Sequence, residues 1–155
     1  MSDRLYMGST RVKATRTAHE VATLLAEAGA RSIITDYGPG GQVAALTFEL
    51  ETAAGPMAFR LPVRIEPVFF WLQKQRSPRH RERGELADRA QAANVAWRQI
   101  LRWIEAQLAI IQTGMVPAAE AFLPYARSSN GQTLYELFAD RKLNKLLPAP
   151  GEHHG

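Results

Sequence analysis

The chain contains no cysteine and only four histidines among its 155 residues. Without cysteine there is no disulfide framework, no thiolate metal site and no cysteine nucleophile. That absence is compatible with a reducing, intracellular compartment. The chain also lacks any run that approaches about eighteen consecutive apolar residues, the length that a membrane-spanning helix needs. Its first residues have no apolar core region, so we expect neither a secretory signal nor a membrane span.

No pattern typical of phosphate or metal chemistry is present either. Residues 38–41 (GPGG) join two predicted strands and lack the Lys-Ser/Thr ending of a phosphate-binding loop. His19 and Glu20 resemble the start of a zinc-protease motif, but Thr23 stands where the second histidine ligand is required. We therefore predict no metal site and no cofactor, and we favour a protein that is not an enzyme.

The composition, 46% hydrophobic and 22% charged, fits one globular domain with a substantial core. The formal net charge of +4 permits an anionic partner without requiring one. We predict a flexible basic arm over residues 1–16, a single α+β domain over 17–147 and a disordered tail over 148–155. The expected location is the cytoplasm.

Residues 86–113 are the stretch around which we expect the domain to be organised. They contain no Gly or Pro, and apolar residues from Leu86 and Ala90 to Ile111 recur at spacings of three or four. This predicts one helix of roughly 40 Å. Gly114 and Pro117 follow it as termination signals.

Shorter elements flank this helix. Thr17 and Glu20 have the spacing of a capping box and predict the start of a first helix, and Thr133 with Glu136 predicts the start of a last one. Alternating apolar residues predict three strands. The expected fold is a three-stranded antiparallel meander packed against the long helix. The strands are predicted at 32–37, 43–51 and 57–65, and further short helices at 68–75 and 117–125.

The best functional indication is the basic stretch 74–83 (KQRSPRHRER), which we interpret as a mobile loop between two helices. Arginines on a mobile segment suit phosphate contacts, which favours sequence-tolerant, electrostatic binding of nucleic acid, with single-stranded DNA as one candidate. The alternative is a solvated loop that keeps the protein in solution. The predicted nucleic-acid-binding residues are Arg60, Arg64, Lys74, Arg76, Arg79, Arg81 and Arg83.

A second hypothesis is a protein-interaction or assembly module. The short helix 68–75 is apolar nearly all round, which indicates deep burial or an interface. The long helix carries Trp97 and Trp103 six residues apart, so they face different sides of it. We expect a homo-oligomer or a host-protein partner, with Phe69, Phe70, Trp71 and Trp103 as interface residues.

A third hypothesis is a metal-dependent nuclease. Glu20, Asp36 and either Glu49 or Glu51 follow the order of acids in restriction-endonuclease-like folds. That chemistry also needs a lysine beside the carboxylates, and no lysine occurs from residue 31 to 73. Simple exposure on a solvated sheet face explains the same acids.

Several short runs in the third strand, in the long helix and after it form a recognisable set: 59–62 (FRLP), 95–98 (VAWR), 103–109 (WIEAQLA), 114–116 (GMV), 122–125 (FLPY) and 133–136 (TLYE). With these runs the chain resembles a family of uncharacterised proteins of bacteriophages, prophages and other mobile elements. The family has no established activity, so the resemblance implies a context: a small accessory protein in the cytoplasm of a bacterial host, among DNA-processing genes.

Overall fold

The computed structural model of the protein describes residues 4–147. Within this range it has five α-helices and one three-stranded antiparallel sheet, so the predicted α+β meander is confirmed. The helices are α1 (Ala14–Glu27), α2 (Glu66–Gln75), α3 (Arg81–Gln112), α4 (Ala118–Phe122) and α5 (Leu134–Asp140), and the strands are β1 (Ser32–Tyr37), β2 (Val43–Thr52) and β3 (Gly55–Pro62).

The sheet has the order β1-β2-β3, with one face packed on the core. Alternation along β2 and β3 buries Leu46, Phe48, Phe59 and Leu61 on that face. The third strand ends at Pro62, earlier than predicted. Because β3 is an outer strand, it can accommodate Pro62, which has no N–H group to donate to a neighbouring strand.

The long helix α3 contains 32 residues and measures about 48 Å. It begins at Arg81, five residues before the predicted start, and ends at Gln112. The residues of α3 that belong to the main hydrophobic core all lie at or after Ala96. Leu86 and Ala90, with which the predicted helix face begins, are both exposed and lie outside this core.

The first helix starts at Ala14 rather than Thr17, so the predicted capping box is wrong. The side chain of Asn94 on α3 caps it instead, accepting a hydrogen bond of 2.8 Å from the Ala14 N–H. Glu20 pairs with Arg98 of α3, at 3.1 Å. Tertiary contacts with α3 therefore set where α1 begins.

The described part of the predicted N-terminal arm lies against α3. The Gln91 amide donates to the carbonyl oxygens of Gly8 and Thr10, at 3.0 and 2.9 Å. The Gln99 amide donates to the Tyr6 carbonyl at 2.9 Å. These bonds tie residues 6–10 to the domain, so the arm predicted over 1–16 does not extend freely from residue 6 onward.

The C-terminal part contains the predicted capping box. Thr133 accepts a hydrogen bond from the Glu136 N–H, and the Glu136 carboxylate accepts one from the Thr133 N–H. The tail predicted over 148–155 lies outside the described residues. Among the helices of residues 4–147, none combines the length and the apolar character that a membrane span requires.

Replacing the cap of α1 tests this account of the fold. We expect Asn94→Ala to remove the acceptor for the Ala14 N–H and to lower the free energy of unfolding by about 1 kcal/mol. That corresponds to about 2–4 °C in the melting temperature of a chain of this size. Asn94→Asp, which retains the oxygen acceptor, should melt near the wild type. A wild-type melting temperature for Asn94→Ala would contradict the cap.

Candidate nucleic-acid interface

The outer face of the sheet carries opposing charges rather than a positive surface. The Arg60 Nε atom lies 3.4 Å from a carboxylate oxygen of Asp36, across the central strand. Glu49 shares this face by register, and Glu51 at its end pairs with Arg31 at 2.8 Å. The charge of Arg60 is therefore opposed by acids, which makes it a poor phosphate contact.

The predicted site residues fall into two separate groups. Arg64 follows β3 and is exposed, whereas Lys74 is at the other end of α2. The ten residues of α2 extend about 15 Å between them. Arg60 and Arg64 therefore lie apart from the five basic residues between 74 and 83 and do not form one surface with them.

The basic stretch itself is not a long loop, which corrects the sequence interpretation. Its first two residues finish α2, Pro78–His80 form a 3-10 turn, and α3 starts at Arg81. The Ser77 hydroxyl and His80 Nδ1 lie 2.6 Å apart across this turn. Proline suits the first position of a helical turn, so Pro78 begins the new helix rather than interrupting one.

Arg76 and Asp88 form the central contact between α2 and α3. The arginine donates from Nε to Oδ2 at 2.6 Å and from Nη2 to Oδ1 at 2.8 Å. Gln73 donates to the same carboxylate at 2.8 Å, and the Asp88 side chain is only 9% exposed. The hydrogen bonds to Asp88 and then its charge raise the pKa of Arg76. Arg76 therefore serves the fold rather than an external phosphate.

Gly84 makes this pair possible. A Cβ atom added at Gly84 would lie 2.4 Å from Arg76 Nε, far inside a normal contact distance. Gly84 precedes Asp88 by one helical turn, so the arginine crosses α3 over the glycine to reach the carboxylate. Sequence reasoning missed both residues, and a glycine followed four positions later by an acid is too weak a signal to find them.

A second arginine reinforces the same pair of helices. Arg89 Nη1 lies 2.7 Å from Glu66 Oε1, and its Nε lies 3.4 Å from a Glu85 carboxylate oxygen. Its guanidinium also stacks over the Phe69 ring, 4.0 Å from the centroid. The hydrogen bond with Glu66 is the main cause that raises the pKa of Arg89. Phe69 is consequently buried inside the helix pair.

The remaining cations of the stretch form what we call the basic corner: Lys74, Arg79, Arg81 and Arg83. All four are exposed, and none has an ion-pair partner among residues 4–147. Arg81 Nε donates to the Gln73 carbonyl at 3.3 Å. The corner surrounds the N-terminal end of α3, where the helix dipole adds positive potential. It can therefore attract phosphate groups.

The predicted aromatic interface is largely internal. Trp103 packs against Phe122 and Tyr125, with ring centroids 5.8 and 5.3 Å apart. Trp71 is half-buried, while Phe70 is 58% exposed. Of the four residues predicted for an interface, Phe70 is the one that offers most of its side chain to solvent.

Three of the four acids of the nuclease hypothesis form ion pairs with arginines of the domain. Glu20 contacts Arg98 and Asp36 contacts Arg60. Asp36 and the position opposite Glu49 are four residues apart on β1, about 13 Å. Within the described part of the chain, no group of three or more His, Asp or Glu side chains is placed to hold a metal ion. The geometry gives the nuclease hypothesis no support.

Comparison with models of known protein families, with curated proteins and with solved structures gave no significant match. The functional argument therefore depends on the geometry of this chain alone.

The Arg76–Asp88 contact predicts that Gly84→Ala destabilises the protein, although replacing a glycine by alanine usually stabilises a helix. In an exposed helix, Gly→Ala stabilises by about 1 kcal/mol. At Gly84 the added methyl group must displace Arg76, and overpacking typically costs about 1–3 kcal/mol. The net loss of up to about 2 kcal/mol should lower the melting temperature by as much as about 4–8 °C, measured by circular dichroism.

The matched control repeats the substitution in an Arg76→Ala background, where no guanidinium is present to collide. There Gly84→Ala should leave the melting temperature unchanged or raise it. Equal destabilisation in both backgrounds would show that Gly84 is needed for another reason.

Proposed function

We propose that this protein binds nucleic acid through the basic corner, as an accessory protein without catalytic activity of its own. The observation that carries the proposal is the division of the cations between 74 and 83. Arg76 forms an ion pair with Asp88. The other four cations are exposed and have no ion pair among the described residues: Lys74, Arg79, Arg81 and Arg83.

The recognition would be electrostatic and tolerant of sequence. Guanidinium groups donate bidentate hydrogen bonds to phosphate, and each phosphate contact releases a counterion from the nucleic acid. The four side chains of the basic corner are all cationic and exposed, so their contacts favour the phosphate backbone. Single-stranded DNA remains the first ligand to test, beside a duplex of the same sequence.

The biological setting that we propose, a bacteriophage or other mobile element, comes from the sequence resemblance and not from the geometry of the site. An accessory protein that binds phosphate backbones fits a place among DNA-processing genes. We accordingly propose that it acts in the cytoplasm of a bacterial host.

A second candidate is a protein-interaction module that acts through α2. The observation that favours it is Phe70, whose large aromatic side chain is 58% exposed beside the basic corner. Lys74 lies one helical turn beyond Phe70 on the same side of α2. Such a pair of side chains suits a partner surface that is both apolar and acidic.

Removing the charges of the basic corner tests the proposed function. We expect the triple variant Arg79→Ala, Arg81→Ala, Arg83→Ala to bind a labelled oligonucleotide at least ~10-fold more weakly at low salt, because three phosphate contacts are lost. Fluorescence anisotropy measures the affinity. The melting temperature should stay close to that of the wild type, since these side chains are exposed.

The control is a triple variant with the same loss of charge elsewhere on the surface: Arg11→Ala, Arg127→Ala, Arg141→Ala. It should retain most of the wild-type affinity. If both triple variants bind equally, net charge rather than the basic corner governs binding, and the proposed site is wrong.

A further inference from the structure

One row of residues runs along the whole length of α3, and parts of this row are not covered by the other described residues. The residues of this row follow one another at spacings of three or four, so they lie on one face of the helix. The row consists of Arg83, Leu86, Ala90, Asn94, Trp97, Leu101, Glu105, Leu108 and Gln112.

The helix α1 covers the middle of the row. Its first residue, Ala14, is capped by Asn94, and its buried residues share the core with Trp97 and Leu101. Near its end, Leu24 lies at the same groove as Leu108. The two helices therefore run in the same direction, and α1 leaves the row uncovered at both ends.

At its N-terminal end the row, together with the adjacent Ala87, forms an exposed stripe, which we define as Arg83, Leu86, Ala87 and Ala90. All four residues are exposed, and Leu86 is 85% exposed, the most of any large apolar side chain described. The stripe has the i, i+3, i+4, i+7 spacing of a helix face that packs into a groove. The apolar residues of the stripe lie just after the N-terminal end of α3, which is the positive end of the helix dipole.

At its C-terminal end the row borders an open groove of about 720 Å³. Apolar side chains form its walls and acids lie at its rim. We call it the acidic groove and define it by Leu24, Glu27, Leu50, Glu105, Leu108 and Ala109. Glu105 pairs with Arg102 at 2.9 Å, whereas Glu27 has no ion-pair partner among the described residues, so Glu27 is the acid that offers its charge to a partner.

The groove and the stripe complement each other in charge as well as in polarity. The C-terminal ends of α1 and α3 both border the acidic groove, so two negative helix ends add to its carboxylates. The exposed stripe begins at the positive end of α3 and carries Arg83. Apolar residues that are uncovered in one place thus match an apolar groove of opposite charge in another.

We infer that the acidic groove binds the exposed stripe of a second copy of this chain. The two surfaces lie toward opposite ends of a helix of about 48 Å, so one molecule cannot satisfy its own groove. The contact is head-to-tail, and repetition of a head-to-tail contact builds an open chain or a ring. Arg83 of one copy then lies close to the acids of the next copy.

The inference does not depend on the proposed function, because association is measured without nucleic acid. Light scattering after size-exclusion chromatography should give an average mass that rises with protein concentration and falls toward the monomer mass as salt is added. A monomer at every concentration up to the millimolar range and at low salt would overturn the inference.

Two variants separate the halves of the contact. Leu86→Asp places a charge in the stripe, and Glu27→Lys reverses a charge at the groove; both residues are exposed, so folding should persist. Each variant alone should be monomeric. Their equimolar mixture should form a dimer and nothing larger, because only one productive pairing of groove and stripe remains.

The matched controls are Tyr135→Asp and Glu120→Lys, which make the same kinds of change at exposed positions elsewhere. They should associate as the wild type does. Two results would each overturn the inference: association that persists in both Leu86→Asp and Glu27→Lys, or a mixture of these variants that stays monomeric while the wild type associates.

Discussion

The central contact of the helix pair α2–α3 is the ion pair of Arg76 with Asp88, made over the surface of Gly84. The carboxylate is almost fully buried, so its charge requires the two arginine bonds and the Gln73 bond that it receives. The pair fixes the short connection between the helices and lets α3 start at Arg81, beyond the limit of the sheet. Everything that the basic corner presents to solvent follows from that connection.

The distribution of paired and free cations gives the structure its functional meaning. Arg60, Arg89 and Arg98 each contact a carboxylate within the domain. The charges of the basic corner have no such partner in the described chain, although they are close together and share one helix end. Like charges that are left together in this way are unfavourable for folding, and an anionic ligand would relieve their repulsion. This is the physical reason for placing the site at the corner and not on the sheet.

Periodicity predicted the elements of the fold but not the contacts that position the site. Alternation identified all three strands, because one face of the meander is buried. The predicted start of α3, residue 86, was too late because a glycine at position 84 is unfavourable in a helix. In the structure Arg76 requires a residue without a side chain at this position. The spacing of Thr17 and Glu20 fitted a capping box, yet Asn94 and Arg98, which are distant in sequence, determined the outcome. The pairing of Arg60 with Asp36 likewise depends on strand register, which charge counting along a sequence does not contain.

The salt dependence of oligonucleotide binding tests the central claim most directly, because it counts phosphate contacts. Each contact with a single strand contributes about −0.7 to the slope of log affinity against log salt concentration. Four free cations at the basic corner predict a slope of about −3 for the wild type. A slope near −3 would support binding by the corner alone, and a steeper one would require further basic residues. A slope near zero, or no binding at low salt, would contradict the account.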